Sequence, residues 1–215
     1  MRLFTVGHSN QTLPQLIAQL QRQGVNAVAD VRSTPFSRRL PQFNRPELEA
    51  ELPNQGITYV FLGEELGARR EEPEAYDGMQ AAYERVAQLP AFDSGLERVL
   101  TGVSKGLTLA LLCAERDPLT CHRAVLVSRH LVNRGVDVQH IHGDGHLESH
   151  AELERRMQLA LQKLGVLEAS PNAVQLDLLG NPVSMILDES PEKVLELAYK
   201  EQGKRIAYRK PLISA

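Results

Sequence analysis

Residues 111–123 read Leu-Leu-Cys-Ala-Glu-Arg-Asp-Pro-Leu-Thr-Cys-His-Arg and carry both cysteines of the chain, Cys113 and Cys121. A thiol beside an imidazole and a guanidinium is readily held as thiolate, the form that attacks electrophiles and binds soft metals. Cys121 is the candidate nucleophile, and His122, Glu115 and His8 are candidates for proton transfer. Arg123, Arg32 and Arg38 suit an anion such as phosphate or carboxylate, with Ser9, Ser37, Cys113 and His140 as further contacts. Two plainer readings stay open: Cys113 as a small core residue, and Asp30 with Arg32 as a structural ion pair. Cys113, Cys121 and histidines could instead hold a metal, but their spacing fits no common zinc signature. No cofactor is expected. His140, His142, Asp144, His146 and His150 offer further ligand types in a pattern with many accidental matches.

These groups need a scaffold that brings distant segments to one place. Short apolar runs predict strands at Leu3–Val6, Ala27–Val31, Ile57–Phe61, Leu107–Leu112 and Val136–Ile141. They are continuous rather than alternating, as in a sheet buried on both faces. Helical patterns lie between them: Leu13 to Gln23 behind a Thr12–Gln15 capping box, Arg45 to Pro53, Tyr76–Gln88, Asp93–Val103 beyond Pro90, and Cys121–Arg134. The expected fold is α/β: a mostly parallel sheet with helices on both faces, plus a C-terminal helical extension. Residues 1–150 form the domain with the site. Residues 151–215 form the extension, in which Ala151–Leu164 and a segment from Ser190 to Gly203 are helical and 165–190 is a linker or arm.

In a parallel sheet the carboxyl ends of the strands share one edge, where open α/β proteins bind ligands. His8 and Ser9, Asp30 to Arg39, Glu64 to Arg70, Cys113 to Arg123 and His140 to Asp144 all follow strands. The turns at the opposite ends are plain. Cys121 is expected at a helix start, where main-chain N–H groups favour anions.

Composition narrows the classes. The chain has 215 residues and a formal net charge of -3, so bulk electrostatics select no partner. Trp is absent and aromatics make up 5%, which disfavours a broad base-stacking platform. Two cysteines make no disulfide framework, the opening MRLFTVGHSN lacks a long apolar run, and no segment reaches membrane-spanning length. A cytoplasmic location without membrane contact is expected.

The segments TVGHSN, DVRSTPFSRRLPQFN, GITYVFLGEELGAR, LLCAERDPLTCHR and VQHIHGDG occur in this order. Together they resemble the domain-of-unknown-function 488 family over about residues 3–150. The resemblance implies a shared α/β fold and a site built from Gly7, His8, Ser9, Asp30, Arg32, Pro35, Ser37, Gly63, Leu66, Gly67, Cys113, Glu115, Cys121, His122, Arg123 and His140. It supplies no reaction.

In the tail, Gln175-Leu176-Asp177-Leu178-Leu179 resembles the peptide with which bacterial repair and replication proteins engage the sliding clamp. An apolar arm packing on its own domain is the plainer reading. The leading functional reading is an enzyme of hydrolase or transferase type acting on an anionic, nucleotide or nucleic-acid-like substrate through a reactive cysteine. The alternatives are a non-catalytic nucleic-acid or ligand-binding module of DNA repair or replication, and a metal-binding regulatory protein.

Overall fold

The computed structural model describes residues 1–167 and 190–211, with the backbone of 175–176 and 182–183. The chain begins with β1 (Arg2–Gly7), α1 (Leu13–Arg22), β2 (Ala27–Asp30), α2 (Arg45–Asn54), β3 (Thr58–Phe61) and the short α3 (Gly63–Leu66). Then follow β4 (Tyr76–Asp77), β5 (Gln80–Ala81), α4 (Tyr83–Val86), α5 (Pro90–Ser104) and β6 (Leu109–Cys113). A π-helical stretch (Arg123–Ser128) runs into α6 (Arg129–Val132), then β7 (Asp137–Ile141), β8 (Leu147–Ser149) and α7 (His150–Lys163). The two-residue strands β9 (Gln175–Leu176) and β10 (Pro182–Val183) pair with each other, and α8 (Pro191–Ile206) closes the order.

Six strands form one sheet in the order β3-β2-β6-β1-β7-β8. The first five run parallel, as the apolar runs predict, and β8 is added antiparallel on β7. Alternate residues feed two cores. Leu3, Ala29, Leu111 and Cys113 pack on one face, and Phe4, Val6, Val28 and Leu112 on the other. The expected capping box at Thr12 is present, with Thr12 Oγ1 accepting from the Gln15 N–H.

Three local expectations are corrected. The helix expected over Tyr76–Gln88 is a β4–β5 hairpin followed by the four-residue α4; Gly78 takes a positive φ of 58 at the turn. The break between two helices at Pro90 is present, but the second helix starts at Pro90 itself rather than Asp93, in the first turn, where the missing N–H costs nothing. The segment after Cys121 begins as a π-helix rather than an α-helix, and the Ser128 hydroxyl donates to the Arg123 carbonyl at 2.7 Å.

The C-terminal helix joins the main core. Ala198 and Tyr199 of α8 are buried in the cluster that holds Met157, Leu161, Leu126 and the β6 face. Beyond α8, the Ala81 N–H donates to the Tyr208 carbonyl and the Lys210 N–H to the Met79 carbonyl, so the tail runs along the hairpin. Among the described residues, no helix is long and apolar enough to cross a membrane.

Candidate active site

Parallel pairing aligns Gly7 of β1 with Cys113 of β6. The ladder continues past the strand ends: the His8 N–H donates to the Cys113 carbonyl and the Ser9 N–H to the Ala114 carbonyl, both at 2.9 Å. Ser9 sits at a φ of 47, the left-handed region, as the chain turns towards α1. After Cys113 the chain loops out and returns. Asp117 accepts from the Leu119 N–H at 2.9 Å and opens a single 3-10 turn, Pro118–Thr120, whose end delivers Cys121.

That loop brings four chemical groups together. Both sulfurs lie at hydrogen-bond distance from the same Glu115 oxygen, Oε2, Cys113 at 2.9 Å and Cys121 at 3.0 Å. His122 Nδ1 lies 3.7 Å from Cys113 Sγ. His122 Nε2 is 2.9 Å from the Val31 carbonyl oxygen, which can only accept. The Nε2 nitrogen therefore carries the proton, and the Nδ1 lone pair of the neutral ring faces the sulfurs. One donor atom from each of Cys113, Glu115, Cys121 and His122 lies within 4.8 Å of the others, so the two sulfurs are neighbours.

Electrostatics separate the two thiols. Burial pushes the Cys113 thiol well above its ordinary value, reinforced by Cys121 and Glu115. Burial also pushes Cys121 up, but the Cys113 thiol, Arg123 and His122 outweigh it and hold Cys121 well below. The Arg123 N–H at 3.4 Å from Cys121 Sγ adds a main-chain donor. Burial opposes charge on His122, yet Cys121 and Glu115 raise its pKa. The pair is best treated as one titrating unit with Cys121 as its favoured thiolate.

The cations divide into two kinds. Arg123 is fully buried. Its guanidinium donates to the Glu115 carbonyl at 2.7 Å and the Arg116 carbonyl at 3.3 Å, so it holds the loop rather than facing a ligand. Arg32 is buried against Asp30 as the expected ion pair, with Nη2 to Oδ2 at 2.6 Å and Nε to Oδ1 at 2.8 Å. The remaining nitrogen, Nη1, donates to His8 Nε2 at 3.2 Å. His8 is thereby fixed as neutral, and burial chiefly lowers its pKa to about 4.

A cavity of about 250 Å³ opens on this cluster. Its wall includes Cys113, Glu115 and His122 beside Arg32 and Arg69, with Ser33 and Thr34 on the loop after β2. Cys121 is not in the wall and is buried, at 1% exposure. Ile206 and Tyr208 close another side, with the Arg69 guanidinium 4.8 Å from the Tyr208 ring centre. Among the described residues, no carboxylate lies within ion-pair distance of Arg69, unlike Arg32 and Arg70.

Other candidates fall elsewhere. Arg38 is exposed and outside the wall, and Ser37 Oγ accepts from the Leu40 N–H in a turn. Ser9 Oγ contacts Asn10. His140 is buried between Thr5 and His150, away from the cavity. The ligand-rich stretch after it forms no metal-type cluster among the described residues; His142 instead pairs with Glu148 at 2.8 Å. Of the clamp-like motif, Gln175–Leu176 forms β9, and Asp177, Leu178 and Leu179 lie outside the described residues. Sequence reasoning had no signal for Tyr208 or Ile206, which reach the site from the far end of the chain. Arg69 was visible only as one arginine of several on a loop after a strand.

Fold and site together define a parallel α/β protein with a thiol–imidazole–carboxylate centre at the carboxyl edge of its sheet. The model of the family described as "domain of unknown function DUF488" matches residues 12–130, more than half of the chain, and the chain belongs to that family. Comparison with curated proteins and with solved structures gave no match.

Proposed function

We propose that this protein is an enzyme of hydrolase or transferase type acting on a small anionic substrate, with a nucleotide-like phosphate ester as the best-fitting class. One observation carries the reading: Cys113, Glu115 and His122 share the wall of a single cavity with Arg32 and Arg69. Arg69, stacked on Tyr208 and without a carboxylate partner among the described residues, is the cation placed to take the anion. Arg32, neutralised by Asp30, shapes the wall and offers an N–H edge. In the metal-free chain Cys113, the thiol in the wall, is placed to be the nucleophile, with His122 Nδ1 3.7 Å away to take its proton and the buried Cys121 thiolate as its neighbour. The modest cavity suits a single phosphate or carboxylate head rather than a duplex laid across the surface.

The test is calorimetry with inorganic phosphate and nucleoside monophosphates on the full chain, paired with iodoacetamide labelling. Binding is expected to slow labelling of the cysteines and to weaken about tenfold in Arg69→Ala, the scale of one charged hydrogen bond. If no phosphate or carboxylate compound binds and labelling is unchanged, the reading is overturned.

A further inference from the structure

We infer that Cys113, Cys121, His122 and Glu115 form a binding site for one divalent metal ion of the zinc type. This rests on the reading of the cavity as the reaction site and specifies what its cluster can hold.

The donors already surround a common point. A tetrahedral zinc centre with bonds of about 2.0–2.3 Å places its ligand atoms roughly 3.3–3.8 Å apart. The two sulfurs, one Glu115 carboxylate oxygen and one His122 ring nitrogen lie within 4.8 Å of one another, with Nδ1 the nitrogen 3.7 Å from Cys113 Sγ, so small side-chain shifts bring all four to one centre. The sequence hid this arrangement because no ordinary ligand spacing is used. Cys113 ends a strand, and Cys121 returns to it only through the Asp117-capped turn.

Two further features independently match the surroundings of bound metals. His122 donates Nε2–H to the Val31 carbonyl at 2.9 Å, which fixes the ring and its tautomer with Nδ1 free to coordinate. Metal-ligating histidines are oriented in this way by their second nitrogen. Cys121 Sγ receives the Arg123 main-chain N–H at 3.4 Å, which supports negative charge on a ligating sulfur. The Arg123 guanidinium is fixed by the Glu115 and Arg116 carbonyls, and from there its charge also favours a thiolate at Cys121.

Donor chemistry selects the ion. Two thiolates and an imidazole favour zinc and its soft or borderline neighbours over magnesium or calcium. Exposure assigns the positions. Cys113, Cys121 and His122 are buried and permanent, whereas Glu115 is exposed at the cavity and can give way to an anion. That pattern is three protein ligands with one exchangeable position. On loading, each thiol loses its proton to solvent as its sulfur–metal bond forms. The loaded protein therefore has masked thiols, and the stripped protein has the reactive pair.

The experiment uses the full chain, stripped with a chelator and titrated with Zn²⁺ against a chromophoric competitor, then with Co²⁺ for its absorption spectrum. The expected result is one ion per chain, a thiolate-to-cobalt charge-transfer band, and loss of both thiols' reactivity on loading. Cys121→Ser and His122→Gln are expected to lose the site, while Glu115→Gln keeps it with affinity about tenfold weaker. Circular dichroism of the stripped variants checks that they fold. Should the folded protein take up no stoichiometric Zn²⁺ or Co²⁺, or load without masking its thiols, the inference is overturned. A parallel phosphate titration separates the two readings. Phosphate binding without metal uptake sinks only the metal site, and metal uptake without any anion binding sinks only the anionic-substrate reading.

Discussion

Asp30 holds three partners at the end of β2. Its oxygens accept from the Arg32 side chain and main-chain N–H and from the Tyr59 hydroxyl at 2.7 Å, and it is fully buried. A buried pair gives little net stability compared with an apolar replacement, but removing one member strands the other. Asp30→Ala is therefore expected to destabilise the chain by about 3–5 kcal/mol in urea unfolding. Tyr59→Phe, which removes one hydrogen bond and leaves the pair, should cost about 1–2 kcal/mol. Equal costs for the two would mean that the ion pair does not govern this corner. The pair was legible in the sequence because two residues on an extended chain end can close on each other. The third contact was not, since Tyr59 comes from the neighbouring strand and its role depends on register.

At the scale of elements, the 114–120 loop is shaped by how closely it lies on the end of β1. A Cβ added at Gly7 would stand 1.8 Å from the Glu115 carbonyl oxygen, which is also the acceptor of Arg123 Nη1. No rotamer relieves a clash with backbone. Gly7→Ala is expected to push the 114–120 loop outward and to cost about 1–3 kcal/mol or more. It should also separate the two thiols, seen as a rise in the rate of cysteine alkylation. Unchanged stability and alkylation would show that the loop does not depend on this contact. The five parallel strands could be read from apolar runs such as Leu109–Cys113 because both sheet faces are covered. Leu147–Ser149 could not, being three residues long on an edge with only one residue, Glu148, buried. The π-helical start at Arg123 also left no mark, because Ala, Val and Leu suit an α-helix equally well. The meeting of Glu115 with both sulfurs depends on the turn at Pro118, so residue types alone could name its members but not their contact.

The whole molecule is tied together by one buried chain of hydrogen bonds from the site to the C-terminal helix. Its direction is forced by its ends. Arg123 Nε can only donate, and does so to Thr5 Oγ1 at 3.4 Å. Thr5 then donates to His140 Nδ1 at 2.8 Å, His140 Nε2–H to His150 Nδ1 at 3.0 Å, and His150 Nε2–H to the Tyr199 oxygen at 2.7 Å. Tyr199 donates onward to Glu154 at 2.7 Å. Each imidazole carries one proton; a second on either would set two donors face to face. Burial accordingly lowers His140 well below its ordinary value and brings His150 to about 4, with nearby Glu148 only partly opposing it. The sign of the linkage follows. Both histidines take up protons more easily in the unfolded chain, so their contribution is complete above about pH 6.5 and falls with pH below it; for His150 it is lost as pH falls towards 4. For His150 alone the full loss is on the order of 3 kcal/mol. Because Tyr199 lies in α8, acid should release this helix with its contact to the cavity wall, so anion affinity falls together with stability. Unfolding midpoints in urea at about pH 7.5 and about pH 5 measure the slope. His150→Phe is expected to start about 1–3 kcal/mol less stable at the higher pH, having lost two hydrogen bonds, and to show a shallower decline. A variant that declines as steeply as the parent would place the acid sensitivity in other groups, with His8, also brought to about 4, the first to examine.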